Sequence, residues 1–175
     1  EVWFDIAERV GATEFTGYTA TTGEAQVVAL VKDGKEVDSA KAGDAVTVIV
    51  NQTPFYGESG GQTGDSGTIA GAEGLTIAIS DTAKPLGRLH AHNGTVQAGT
   101  VKVGDVVKLD IDVARRDAIR ANHSATHLLH AALRRRLGAQ FRLVPAHSGQ
   151  GRGHHRMALG AQQIGDKVKT PAAVP

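Results

Sequence analysis

Two histidines four residues apart, His123 and His127, are the groups whose type and spacing first suggest chemistry in this chain. They lie in Arg116-Asp-Ala-Ile-Arg-Ala-Asn-His-Ser-Ala-Thr-His-Leu-Leu-His-Ala-Ala-Leu133, a run whose apolar spacing predicts a helix. Four residues make slightly more than one turn, so both imidazoles stand on one face, one above the other. That geometry suits two nitrogen ligands of one zinc ion. It suits equally a pair of solvated histidines. A helical zinc-protease motif would need Glu at position 124, and the residue there is Ser124.

A second segment carries chemical potential: Thr53-Pro-Phe-Tyr-Gly-Glu-Ser-Gly-Gly-Gln-Thr-Gly-Asp65. Its glycines let the backbone bend tightly and approach a ligand closely. Ser59, Gln62 and Thr63 supply hydrogen-bonding groups. The segment has no Walker lysine and no Gly-x-Gly-x-x-Gly spacing, so a phosphate loop is not indicated. Two readings stand: a ligand-facing loop, or a tight corner of a β-structure.

Charge is divided unevenly. Residues 1–112 carry 8 Lys/Arg against 16 Asp/Glu, whereas residues 113–175 carry 11 against 2, and the whole-chain balance of +1 hides this. A basic helix attracts phosphate, which marks Arg115, Arg116, Arg120 and Arg134 as candidate nucleic-acid contacts. The competing reading is that the basic part packs on the acidic part.

The elements that must position these groups follow from pattern. With 22 glycines and 4% aromatic residues, the chain reads as short strands and many turns rather than a helical bundle. Ala25-Gln-Val-Val-Ala-Leu-Val31 predicts a strand, Asp33-Gly34 a hairpin turn, and Glu36–Ala40 the return strand. Ala45–Val50, Leu75–Ser80, Gly94–Val96 and the alternating Val106–Asp112 predict further strands, which together suggest a small barrel or sandwich over residues 1–112. Lys41-Ala-Gly-Asp44 and Lys102-Val-Gly-Asp105 read as similar turns. From about Ala114 a helix is predicted, with Ile119, Leu128, Leu129, Ala132, Leu133 and Leu137 as its core face and Gly138 as its stop. Residues 139–175 show no sustained period and predict an irregular basic tail. No stretch of 18 apolar residues exists, so no membrane-spanning helix is expected. The N-terminus lacks a signal-peptide pattern, and the absence of cysteine excludes disulfides and fits a reducing compartment.

Taken together, the glycine-rich segment and Asn122-His-Ser-Ala-Thr-His-Leu-Leu-His130 resemble the editing region of alanyl-tRNA synthetase and its freestanding editing relatives. Phe15-Thr-Gly-Tyr18 and Val103-Gly-Asp105, ahead of Arg115-Arg116, support the resemblance, which covers roughly residues 10–138. It implies an α+β protein: a small β-barrel, then over 113–138 the first, His-bearing helix of an α/β editing core. It implies hydrolysis of mischarged Ser-tRNA(Ala) or Gly-tRNA(Ala), with tRNA(Ala) as partner and the cytoplasm as location. Zinc would be held by His123 and His127 plus a downstream Cys-x-x-x-His pair, and Ser59, Gly60, Gly61 and Gln62 would face the editing cleft. No catalytic residue is assigned.

The chain also departs from the family. Leu137-Gly-Ala-Gln-Phe-Arg-Leu-Val-Pro-Ala-His-Ser-Gly149 stands where the family has a His-Val-x-Gln-x-Gly-Ser-Leu-Val strand, with Leu143 in place of the pocket glutamine. With no cysteine, only half of the family's zinc site lies in these residues. The alternative expectation is therefore a truncated, catalytically incompetent fragment that at most binds tRNA. In either case the apolar face of the 114–137 helix is expected to lack its partners, to dock loosely or to mediate association.

Overall fold

The computed structural model describes residues 2–137. These fall in two units, one ending at Leu129 and one beginning at His130. The tail expected over 139–175 lies outside the described residues.

The centre of the first unit is a closed β-barrel. Its strands are β1 (Thr22–Lys32), β2 (Ala45–Val50), β3 (Gly67–Ala70), β4 (Thr76–Ala83), β5 (Ala91–Ala98) and β6 (Val106–Ile111). Each pairs antiparallel with two others, in the ring β1-β2-β5-β4-β3-β6, and β6 returns to β1 from Val106↔Gln26 to Asp110↔Thr22. Closure leaves no edge among these six strands. The α+β expectation holds: a small barrel followed by a long helix.

β1 shows how local pattern and tertiary need interact. Its run from Ala25 to Val31 is apolar at nearly every position because it serves two cores. Ala25, Val27 and Leu30 point into the barrel, whereas Ala29 and Val31 point outward to a second cluster with Ile49, Leu89 and Ala91. The inward series steps by three between Val27 and Leu30, where the register with β2 shifts. A bulge inserts one residue, and one residue reverses which face each side chain takes. The outer cluster is covered by helix α1 (Val2–Val10), which buries Ile6 and Ala7 there and packs Val2, Trp3 and Val10 alongside.

The turns behave as predicted, with one exception. Asp33-Gly34 joins Lys32 to Lys35 as a two-residue turn. In the two similar turns, Asp44 and Asp105 each accept the backbone N–H of the lysine three residues earlier, at 3.0 and 2.9 Å. The exception is the return strand over 36–40, which divides at Asp38. Lys35–Val37 stays on β1, and Ser39–Lys41 leaves to pair with Thr100–Lys102. Helix α1 and strand β3 have no counterpart among the elements that pattern predicts. β3 has four residues, too few to display a period.

β6 alternates as expected, burying Val107, Leu109 and Ile111. Asp112 then caps helix α2 (Val113–Leu137) by accepting the N–H of Arg115 at 2.9 Å. The expected core face of α2 is corrected by the structure: Leu128 is 71% exposed and Leu129 44%, with Ile119 only half-buried. The physical reason is closure. The barrel completes its core without Leu128 and Leu129. No helix among the described residues is long and apolar enough to cross a membrane.

Candidate functional site

The glycine-rich segment is a tight corner at its neck and an exposed turn at its tip. Its neck is structural. Glu58 N donates to Thr82 O at 2.8 Å, Asp65 N to Tyr56 O at 3.0 Å, and Tyr56 N to the Asp65 carboxylate at 2.7 Å. A Cβ on Gly64 would stand 2.0 Å from Thr82 O, so only glycine lets the chain lie flush on β4. Its tip is different. Ser59 and Gln62 bridge through paired backbone hydrogen bonds at 3.1 and 3.3 Å, with Gly60 and Gly61 at φ +59° and +81° between them. Two successive positive φ values make a type I′ turn, which glycine adopts without steric cost. Ser59, Gly60 and Gly61 are exposed, beside an open cavity of about 450 Å³ that Trp3, Lys84 and Asn93 also line.

Behind the segment stand two histidines that sequence reasoning passes over. His92 is fully buried; its Nδ1–H donates to Val48 O at 2.9 Å and its Nε2 accepts the Thr53 hydroxyl at 2.8 Å. The carbonyl fixes the tautomer, and burial pushes the imidazole down to about 4. His90 stacks on Phe15 at 5.7 Å, and its Nδ1 has no partner. Burial, with Lys84 adding, pushes it down to about 4 as well. The one available signal is position: the two flank Ala91 just ahead of the strand predicted at Gly94–Val96.

The two arginines at the start of α2 reach the same segment. Arg116 Nε lies 3.2 and 3.0 Å from the two Asp65 carboxylate oxygens, and Nη2 also reaches Oδ2. Nη2 donates to Pro54 O at 2.6 Å and Nη1 to Gly17 O at 3.3 Å. The pair is buried, with the Arg116 side chain 11% exposed and that of Asp65 4%. Arg115 Nη1 donates to Gly64 O at 3.1 Å. Of the four arginines considered for nucleic acid, Arg115 and Arg116 therefore engage the barrel, in line with the intramolecular reading of the charge pattern. Arg120 is exposed one turn further on, and Arg134 is exposed in the second unit.

Further along α2, His123 and His127 are exposed, with ring centroids 4.5 Å apart and Nε2 atoms 3.0 Å apart. Two nitrogens on one tetrahedral zinc, each about 2.0–2.1 Å from it, are separated by about 3.3 Å. The pair thus fits two positions of such a site. Among the described residues no cluster of three or more His, Cys, Asp or Glu could hold a metal. The fit is to half a site.

The barrel, the glycine-rich segment and the root of α2 fall within residues 1–115, which match the profile of the family described as tRNA synthetases class II (A). This match covers more than half of the chain, and the chain belongs to that family. Its similar relatives are more specific. It is 60% identical over 170 residues to the alanine–tRNA ligase of Sphingopyxis alaskensis, which covers 95% of this chain and 19% of that protein. It is 66% identical over 139 residues to that of Rhizorhabdus wittichii, covering 79% of the chain and 16% of the relative. With that of Rhodopseudomonas palustris it is 59% identical over 137 residues. The resemblance to alanyl-tRNA synthetase expected from the motifs stands. The chain spans less than a fifth of the length of these relatives. At 95% coverage, the Sphingopyxis alignment takes in most of the stretch after Gly138.

Proposed function

We propose that this chain is the editing region of an alanine–tRNA ligase, acting in the cytoplasm on tRNA(Ala) mischarged with serine or glycine. The observation that carries this reading is the pairing of His123 and His127, whose nitrogens lie at hydrogen-bond distance, 3.0 Å apart, on a helix rooted in the glycine-rich segment. Hydrolysis of an aminoacyl ester needs the ester placed beside a water, and the wrong amino acid told from the right one. His123 and His127 would hold zinc, which when bound supplies a Lewis acid for the substrate amine or for a water beside the ester. Ser59, Gly60, Gly61 and Gln62 form the cleft edge, where backbone and side-chain polar groups are available to a serine hydroxyl. A site that hydrogen-bonds a hydroxyl rejects the analogue lacking it far better than an apolar pocket sorts by size. Arg120 and Arg134, both exposed on the helix, would meet phosphate.

A second reading rests on the missing ligands. With two histidines, no cysteine in the chain and no larger ligand cluster among the described residues, the isolated chain would bind tRNA without hydrolysing the ester. Zinc titration of the chain, with a His123→Ala/His127→Ala control and a Ser-tRNA(Ala) deacylation assay, tests both. Weak, histidine-dependent zinc binding without deacylation is the outcome for a half-built site. Stoichiometric zinc with deacylation would overturn this second reading. Zinc binding unchanged in the double variant would remove His123 and His127 as ligands.

A further inference from the structure

Arg116 stands at the foot of the helix face that carries the histidine pair. At 100° per residue, Arg116, Arg120, His123 and His127 fall within about 60° of arc. At 1.5 Å per residue, the two histidines stand about 10 and 16 Å above Arg116 along the axis. Whatever fixes the roll of α2 at Arg116 therefore decides which way His123 and His127 face.

Arg115, which donates to Gly64 O at 3.1 Å, holds the helix root through one side-chain contact, fewer than Arg116 makes. Leu128 and Leu129 are exposed, so apolar packing does not hold this part of the helix. The Asp112 cap joins the chain at the helix end but acts on a backbone N–H. Arg116, by contrast, engages three acceptors from separate parts of the chain: the Asp65 carboxylate, Pro54 O and Gly17 O. A guanidinium is a rigid planar fork, so satisfying three acceptors at once leaves it one orientation. Asp65 is also the residue that closes the neck of the glycine-rich segment, through Tyr56 N at 2.7 Å. One carboxylate thus sets both the closure of the loop and the roll of the helix.

We propose that the buried Asp65–Arg116 pair is the positioning device of the site, holding His123 and His127 in fixed register with the Ser59–Gln62 tip. The proposal rests on the reading of those two groups as one hydrolytic site. Arg116 and Asp65 are positioning residues and touch no substrate.

The absence of cysteine makes a direct test clean. Thr63→Cys and Leu128→Cys introduce two labelling sites, one beside the loop tip and one beside His127. Double electron–electron resonance between spin labels there gives a single narrow distance distribution for the parent. Arg116→Lys keeps the charge but cannot bridge the three acceptors. It broadens or shifts the distribution at a temperature where the barrel remains folded by circular dichroism. Asp65→Asn with Arg116→Gln, which removes both charges together, does the same; if one variant fails to fold, the other decides. An unchanged narrow distance in a folded variant overturns the positioning role and leaves the proposed function standing. A broadened distance, in a chain whose histidines bind no zinc, keeps the positioning role and removes the proposed function.

Discussion

The barrel and helix α2 treat their apolar residues in opposite ways. The barrel closes on itself: Val27, Leu30, Phe55, Ile69, Ile77 and Leu109 are sealed between strands that pair all the way round. Helix α2 has an apolar stripe of the usual spacing, yet Leu128 stands 71% exposed. An amphipathic pattern states only that a helix can pack, and whether it does so depends on surface offered elsewhere. Here the groups proposed for chemistry lie on the exposed helix and on the exposed loop tip, and a buried ion pair joins the two.

The sharpest way to break this contrast is to truncate one side chain in each region. Phe55→Ala empties a fully buried position and should cost about 3–5 kcal/mol, because the closed wall cannot collapse around the gap. Leu128→Ala on α2 should change stability by less than about 0.5 kcal/mol. Urea unfolding of both variants reads the difference, and equal losses would mean that α2 is packed after all.

A smaller effect should appear with acid. The neutral form of buried His92 is favoured in the folded chain, with its value down at about 4 from 6.5. Between those two values the unfolded chain binds the proton that the folded chain refuses. Stability from this group is therefore complete above about pH 6.5 and falls as the pH drops toward 4. The expected loss between pH 7 and pH 4.5 is about 2–3 kcal/mol. His92→Gln should reduce the fall of the urea midpoint over that range, leaving the part that His90 contributes.

A smaller loss than those at Phe55 and His92 is expected at the seam. Asp112→Ala removes the cap of α2 and should cost about 1 kcal/mol. Hydrogen exchange should quicken in the first turn of α2 and leave the barrel strands unaltered. Quickened exchange in β1 or β5 would show that the helix supports the barrel, which the closed ring argues against.

Much of this is legible in the sequence because it is local. Alternation along Val106–Asp112 gives a strand, Asp33-Gly34 gives its turn, and the two Lys-x-Gly-Asp turns repeat because the same short side chain reaches the same backbone N–H. The His-x-x-x-His spacing brings its two rings together on one helix face and the Ser-Gly-Gly-Gln run forms a turn, since each depends on a few consecutive residues. Helix α1 is not legible, because Val2–Val10 needs the outer wall of the barrel to make its apolar side meaningful. His92 looks like an ordinary histidine until Val48 and Thr53 are folded around it.

By itself the sequence determined most of the strands, the turns and the order of the motifs, because backbone period, turn chemistry and residue spacing act over a few positions. Only the tertiary structure decided which of those residues are free to act. Arg116 reads as a phosphate contact until folding brings it to Asp65, 51 residues away, and burial makes that pairing the stronger claim on its charge. Leu128 reads as core until the barrel closes without it. Burial is set by what lies across from a residue in space, and the neighbours along the chain do not contain that information.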